Sequence, residues 1–590
     1  VTDLLRLTFL LSAALVVLLR SLLPFTANFD QSAQLEAAHR LVQGLGLTSQ
    51  VFALHNPDIS QPPVPQYLTW WSPGSSLLLA AFLALKLPLV PAVKFVAGGL
   101  TIAGWFGWGR LVSPVLCQPI ALRLGGRVWV LPVQYALAAC LPLFYTPTWT
   151  GTDLLLWAMV PFVVQLALVS SSPQQHYSQV AQGFVRTRPL AIAGVLVGIS
   201  YSFRYASVFL ALVVVLILCQ HYKLQLRQLL GNIAMFVSAF LVFWMPLTVY
   251  NRFAADARLY AAYRMGLTSA TNTALLTLYS GEVPTLKQYL QDVLNTLSGV
   301  SSLFGMTNLS LVFGRANNIF VQLLNKLLGV SLAVFVILLP LLVMIDMNHK
   351  RQRSTHAVQT QQNLTRLRQA LTFIPLSLVL LLTATMSRYS YPFLRDARYY
   401  LPAIIPVLAV SYGMATGDRS PLPTRNPLRM LFVAIVSMFL LYNIVYRPVG
   451  SILLNKSASL VQEPLLATSQ VKLFSNELVT GFEQTKQALT TLHDRYPQAI
   501  IYAPQAQLVY DAPPWLRVSM AEGDFWNTAY TSRPVQLILT VFDICTWRCP
   551  PATVLEKLAQ QPGFQTVQAF PEEFTRIIMV ELPAGYRFTG

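Results

Sequence analysis

Long apolar runs recur along the chain, separated by short polar segments that are often basic. A helix that crosses a bilayer needs about 20 predominantly apolar residues. Runs near 5–24, 91–112, 128–146, 154–171, 189–203, 205–220, 229–250, 327–346, 370–386, 401–416 and 428–446 meet or approach that length. They predict a polytopic α-helical membrane protein of about eleven spans. The first run has no small-residue cleavage site after Leu23 and Pro24, so it reads as a retained span rather than a signal peptide. A further apolar segment, Ser75–Leu87, is only about 13 residues long and follows Trp70-Trp71-Ser72-Pro73-Gly74. That is the pattern of an interfacial or re-entrant helix with a tryptophan pair at the headgroups.

Basic clusters set the orientation. His349 to Arg353 with Arg366 and Arg368, then Arg419, Arg425 and Arg429, then Lys223 and Arg227, then Arg186 and Arg188, and finally Arg110, Arg123 and Arg127 all fall on one side if the spans number eleven. The positive-inside rule makes that side cytoplasmic. A crossing by Ser75–Leu87 would break this agreement, which is the independent reason for keeping it at the interface. The outer face then carries loops 25–90, 147–153, 251–326 and 387–400 and everything after Tyr446. In that tail the period changes. Helical spacing over 479–494 and 551–561 alternates with strand-like Ala499–Tyr502, Val535–Leu539 and Ile577–Val580. The expected organisation is a transmembrane domain over 1–446 and a small extracytoplasmic α/β domain over 447–590.

Composition agrees with the pattern. Hydrophobic residues make up 54% and charged residues 11%, and mean hydropathy is +0.53, where a soluble protein carries about 25% charged residues. The net charge of +18 sits mostly between apolar runs, so it reports topology and gives no reason to expect a nucleic-acid partner. Five cysteines without a CxxC pair exclude a disulfide scaffold and a structural zinc site. Cys545 and Cys549, both expected outside, leave one disulfide open. Asn308-Leu309-Ser310 and Asn455-Lys456-Ser457 match the glycosylation acceptor pattern no more often than chance allows, and compact loops point to a bacterial inner membrane.

Candidate chemistry lies on the outer side. Asp30 opens an amphipathic helical pattern that runs from Gln31 to a stop at Gly44, so it is either a helix N-cap or a reactive carboxylate at the membrane boundary. Glu36 and Arg40, spaced i and i+4, read as a helix-surface pair. Asp153 stands in the first turn of a span, where the helix dipole favours it regardless of function. Arg204 falls between two apolar runs with almost no loop, either snorkelling to headgroups or aimed into a cavity. Arg388, Arg395 and Arg398 precede Tyr399-Tyr400-Leu401-Pro402 and suit either interfacial anchoring or a phosphate clamp. His55, in His55-Asn56-Pro57-Asp58, is a solvated loop histidine or a substrate or metal ligand. Carboxylates and arginines at one depth suit one reaction: a hydroxyl is deprotonated while a lipid phosphate departs.

At these residues the chain resembles the GT-C superfamily of polytopic glycosyltransferases, in the bacterial branch related to protein O-mannosyltransferases and aminoarabinose transferases. The resemblance covers residues 1–450 and rests on several short motifs. Asp30 to Gly46 is similar to the family's acidic motif and following helix, with Gln31 where a second carboxylate is common; that departure weakens the case for a two-carboxylate metal site. Tyr67 to Gly74 is similar to its Pro- and aromatic-rich lead into a juxtamembrane helix. Asp153 matches its second-loop acidic residue, Gly194 to Arg204-Tyr205 its Gly-rich span ending in Arg-Tyr, and Arg398 to Pro402 its Arg-Tyr-x-x-Pro motif. The resemblance implies a polyprenyl-phosphate-sugar donor, transfer on the outer face with inversion, Asp30 as general base, and Asp153 supporting the acceptor or a divalent metal ion. Arg204 and Arg398, with Tyr205 and Tyr399, would hold the lipid phosphate. Two other classes stand beside it: a lipid transporter or flippase, disfavoured by nearly charge-free spans and unmatched halves, and a non-enzymatic membrane scaffold.

Overall fold

The computed structural model describes residues 1–22, 29–54, 57–62, 64–68, 72–124, 127–145, 152–170, 179–222, 225–254, 319–351, 358–386, 400–416, 483–503, 515–518, 526, 528–542, 552–570 and 575–588. The helices are α1 (Thr2–Leu22), α2 (Phe29–Val42), α3 (Gly74–Ala84), α4 (Leu89–Leu116), α5 (Val133–Tyr145), α6 (Thr152–Ser170), α7 (Gln179–Phe203), α8 (Phe209–His221), α9 (Leu226–Ala254), α10 (Ile319–Arg351), α11 (Val358–Met386), α12 (Leu401–Thr416), α13 (Glu483–Arg495) and α14 (Ala552–Ala559). The strands are β1 (Thr48–Leu54), β2 (Val64–Tyr67), β3 (Ile120–Leu124), β4 (Arg127–Leu131), β5 (Ile500–Ala503), β6 (Leu516–Val518), β7 (Val535–Phe542), β8 (Gln565–Phe570) and β9 (Thr575–Leu582). The chain divides into two compact units, Val1–Leu18 with Val96–Leu453, and Leu19–Phe95 with Leu454–Gly590.

The first unit is predominantly helical. Among the described residues three helices are long and apolar enough to cross a membrane, over Asp153–Ser170, Leu226–Tyr250 and Asn363–Leu381, and shorter apolar helices include Arg188–Phe203, Tyr205–His221, Ala333–Ile345 and Leu401–Met414. Among the described residues, three of the eleven expected crossings thus meet the length and apolarity of a span. The run at 128–146 shows one reason. Its first residues form β4, paired antiparallel with β3 from Ile120↔Leu131 to Leu124↔Arg127, because β-branched and aromatic residues flank a Gly-Gly sequence that suits a two-residue hairpin. The remaining helix, α5, has 13 residues, about 20 Å against a hydrocarbon core of about 30 Å. The expected span at 428–446 lies outside the described residues.

Small residues set the helix packing. An added Cβ on Gly104 would run into the Trp157 ring, and Trp157 in turn meets Trp105 edge-on at 4.8 Å. The Trp108 indole N–H donates to the Trp157 carbonyl at 3.2 Å, so α4 and α6 interlock through three buried tryptophans. On α7, Gly194 and Gly198 form the small-x-x-x-small spacing that lets helix backbones approach in lipid. A Cβ on Gly194 would collide with the Phe236 backbone oxygen of α9.

The second unit joins the loop after α1 to the tail. The tail sheet runs β6-β5-β7-β9-β8; β5 pairs parallel with β6 and β7, and β9 pairs antiparallel with β7 and β8. Every strand-like and helical stretch read from the tail's sequence becomes an element, and β6 and β8 are added. From the first loop come α2, α3 and the antiparallel β1–β2 pair. The segment expected to lie at the interface is the 11-residue α3, about half a bilayer core in length. It packs on α2, where the Ser76 hydroxyl donates to the Gln34 carbonyl at 2.8 Å.

The tip between β1 and β2 is tied to the tail. Ile59 N–H donates to the Tyr530 carbonyl at 2.9 Å and Tyr530 N–H to the Pro57 carbonyl at 2.8 Å. Asp58 Oδ1 accepts from the backbone N–H groups of Ser60 and Ser532, each at 3.0 Å. Arg517 Nη1 donates to the Ile59 carbonyl and, at 3.0 Å, to that of Gln61. Ile59 itself is fully buried beside Trp526, Leu537 and Phe588, burial that contributes about 2–3 kcal/mol for a side chain of its size. Burial pushes the Asp58 carboxyl up, yet the hydrogen bonds from Ser532 and Ser60 outweigh it and hold the pKa at about 2, from an ordinary 3.8.

Two outcomes follow from this packing. Gly194→Ala should lower the melting temperature measurably, whereas Gly231→Ala, where an added Cβ meets nothing within 4 Å, should be neutral or stabilising by up to about 1 kcal/mol through helix propensity; scanning fluorimetry of the two variants compares them. A depressed native pKa contributes stability above the unfolded value that disappears as pH falls through the folded one. For Asp58 the window is pH 3.8 down to about 2 and the contribution about 2 kcal/mol. Acid titration of unfolding should show that component in the native chain and lack it in Asp58→Asn.

Candidate functional site

In the first unit two of the expected site residues, Asp153 and Arg204, meet where α6 begins and α7 ends, with Tyr205 next along the chain. Asp153 is the second residue of α6 and is buried, where the exposed N–H groups of the first turn favour a negative charge. Arg204 follows the last residue of α7 with extended backbone, φ −152° and ψ 117°. Its N–H donates to the Ser200 carbonyl at 2.8 Å, closing the helix, and its carbonyl accepts from Ser207 at 3.0 Å, opening the 3-10 turn Tyr205–Val208. A cation at a helix C-terminus is favoured by the same dipole that favours Asp153 at an N-terminus. The two side chains form an ion pair, Arg204 Nη1 to Asp153 Oδ1, with 17% and 9% of the respective side chains exposed.

Aromatic side chains flank the pair. Tyr205 and Tyr201 are buried with ring centroids 5.4 Å apart, and Tyr201 meets Phe240 of α9 edge-on at 5.9 Å. Leu247 completes this cluster, with Trp244 and Tyr250 packed against it. Arg204 is thus paired, its guanidinium meeting the Asp153 carboxylate in surroundings that leave little of either side chain exposed. The pair also bears on a metal: Asp153 already neutralises a cation, so a divalent ion bound beside it would lie against the Arg204 charge. Among the described residues no three His, Cys, Asp or Glu side chains gather to hold a metal ion.

In the second unit Asp30 is the second residue of α2, and its side chain lies outside the described set. His55, Arg398 and Tyr399 lie outside the described residues, as do Cys545, Cys549 and the Trp70-Trp71 pair. The reading of Glu36 and Arg40 as a surface pair is corrected. Glu36 is buried and accepts from the Ser49 hydroxyl at 2.6 Å, while Arg40 Nε donates to Thr48 Oγ1 at 2.8 Å, because β1 packs over that face of α2. Sequence reasoning missed Asp58. Its local signal is the Asx turn, a side-chain oxygen accepting from the N–H two residues on; the second donor, Ser532, has no local signal at all.

Removing one member of a buried ion pair leaves an uncompensated charge and costs about 3–5 kcal/mol, whereas replacing both with apolar residues is often close to neutral. Arg204→Met and Asp153→Leu should each lower thermal stability markedly, and the double variant should recover most of the loss. A double-mutant cycle of melting temperatures measures the coupling; strictly additive losses would mean the pair contributes nothing as a pair.

No family model matches the chain, and no curated protein matches it. Among solved structures, the crystal structure of ArnT from Cupriavidus metallidurans in the apo state is similar to it at 12% sequence identity, over 98% of this chain and 97% of that one, with a TM-score of 0.32.

Proposed function

We propose that the chain is an integral membrane glycosyltransferase of the GT-C type, placed in a bacterial inner membrane with the tail extracytoplasmic. It moves a sugar from a polyprenyl-phosphate donor to an acceptor hydroxyl on the outer face. Asp30 takes the acceptor proton as the hydroxyl oxygen attacks the anomeric carbon. The bond from that carbon to the phosphate oxygen breaks, the electron pair leaves with the polyprenyl phosphate, and the configuration inverts. Arg204 and Arg398, flanked by Tyr205 and Tyr399, stabilise the charge developing on the departing phosphate.

The observation that carries this reading is the Asp153–Arg204 pair. Two residues singled out by separate motifs are joined at one end of α6 and α7, beside the Tyr205 that completes the Arg-Tyr motif. In this reading Asp153 is a positioning residue. It holds the guanidinium in one orientation, and the five donors of arginine's fixed fork outnumber what one carboxylate oxygen takes up, so the same group can also meet phosphate oxygens. A divalent ion, where the reaction uses one, is assigned to residues other than the paired Asp153.

The test is mass spectrometry of lipids copurifying with Asp30→Asn. Removing the base while sparing the arginines should trap unreacted donor, seen as a polyprenyl phosphate carrying a sugar whose mass names it. Bulk phospholipid alone on the folded variant, even after a polyprenyl-phosphate-sugar pool is supplied, would reject the reading in favour of a membrane scaffold.

A further inference from the structure

We infer that the tail domain acts as a brace for α2, with Arg517 and Asp58 as positioning residues for Asp30; the assignment to Asp30 rests on the function proposed above. Three connections carry the inference, all inside the second unit. The first is the tip of the β1–β2 hairpin, where the pairing with Tyr530, the bonds to Asp58 and the Arg517 clamp hold Pro57–Gln61 on the tail sheet. The second is the hairpin's hold on α2, through Ser49 to Glu36 and Arg40 to Thr48. The third is direct: Ala33, one turn after Asp30, is fully buried in the same apolar cluster as Leu489 of α13, Ile501 of β5 and Ile577 of β9.

Physical economy favours the brace. α2 is 14 residues long, a length that is marginal for an isolated helix in water, and its mean side-chain character is not strongly apolar. Its order must come from tertiary contacts, and Ala33, Glu36 and Arg40 spread those contacts over successive turns. A general base loses efficiency steeply when displaced by about 1 Å, so the helix that carries it needs a rigid support. Arg517 is well placed to give it, because its guanidinium reaches two carbonyls of the strap while lying 5.7 Å from the Tyr502 ring centroid, which fixes the fork from behind. Asp58 supplies the opposite charge at the same strap, accepting N–H groups from both sides of the junction.

Hydrogen exchange on the full-length protein in nanodiscs tests the brace, with Arg517→Ala, Asp58→Ala and Asp58→Asn compared with the native chain. Amide protection across α2 should fall roughly tenfold or more in both alanine variants, while amides of α6 and α9 stay unchanged. Asp58→Asn keeps an acceptor oxygen for Ser60 and Ser532 and should restore most of the protection. Should Arg517→Ala not fold, the Asp58 Ala and Asn pair decides the question alone. Loosening confined to residues 57–61, with α2 as protected as before, overturns the brace. Copurified lipid separates the two readings. Where Asp30→Asn retains a sugar-bearing polyprenyl phosphate, Arg517→Ala should retain it too; a loosened α2 with lipid content like the native chain overturns the positioning role. A loosened α2 with no sugar lipid on any variant sinks the glycosyltransferase reading and leaves the brace standing.

Discussion

Helix ends carry partial charges of fixed sign, and in a chain so poor in charged residues they govern where a charge can be kept. The α6 N-terminus favours a carboxylate and the α7 C-terminus a guanidinium, and antiparallel packing brings those ends together. Asp153 and Arg204 are each stabilised by their own helix and then by one another. The close approach of the backbones makes this possible. Gly104 admits the Trp157 ring and Gly194 admits the Phe236 carbonyl, so α4 packs closely on α6 and α7 on α9, and little of either charged side chain is left exposed. The same dryness that makes an ion pair strong makes a lone charge intolerable, which ties the functional reading of Arg204 to the presence of Asp153.

The second unit solves a different problem. Its sheet is small, and a small domain buries too little surface to be robust alone. Ile59 from the first loop fills part of the core beneath β5 and β7, and Ala33 from α2 fills another part. The loop in turn gains order that its own sequence does not supply. Such mutual completion gives the tail and the loop a physical reason to fold together.

Much of this was legible in the chain. Apolar runs marked most helices of the first unit, and the change of period after residue 479 marked α13, β5, β7, α14 and β9. Local patterns also found Asp153 and Arg204, because helix ends and interrupted apolar runs are readable from neighbours alone. They failed at 128–146, where pairing of β4 with β3 competed with helical hydrophobicity, and at Glu36 and Arg40, where i, i+4 spacing could not reveal that β1 would cover them.

By itself the sequence determined the apolar helices and the basic segments between them, and it singled out candidate residues for acid, base and phosphate chemistry, since composition and short-range period encode these. Tertiary structure alone decided which charges pair and which loop completes which core. Arg204 and Asp153 meet because two helices pack antiparallel, and Asp58 meets Ser532 because a hairpin tip docks on a distant sheet. Such pairings depend on distances in space between residues far apart in the chain, and no local periodicity carries that information.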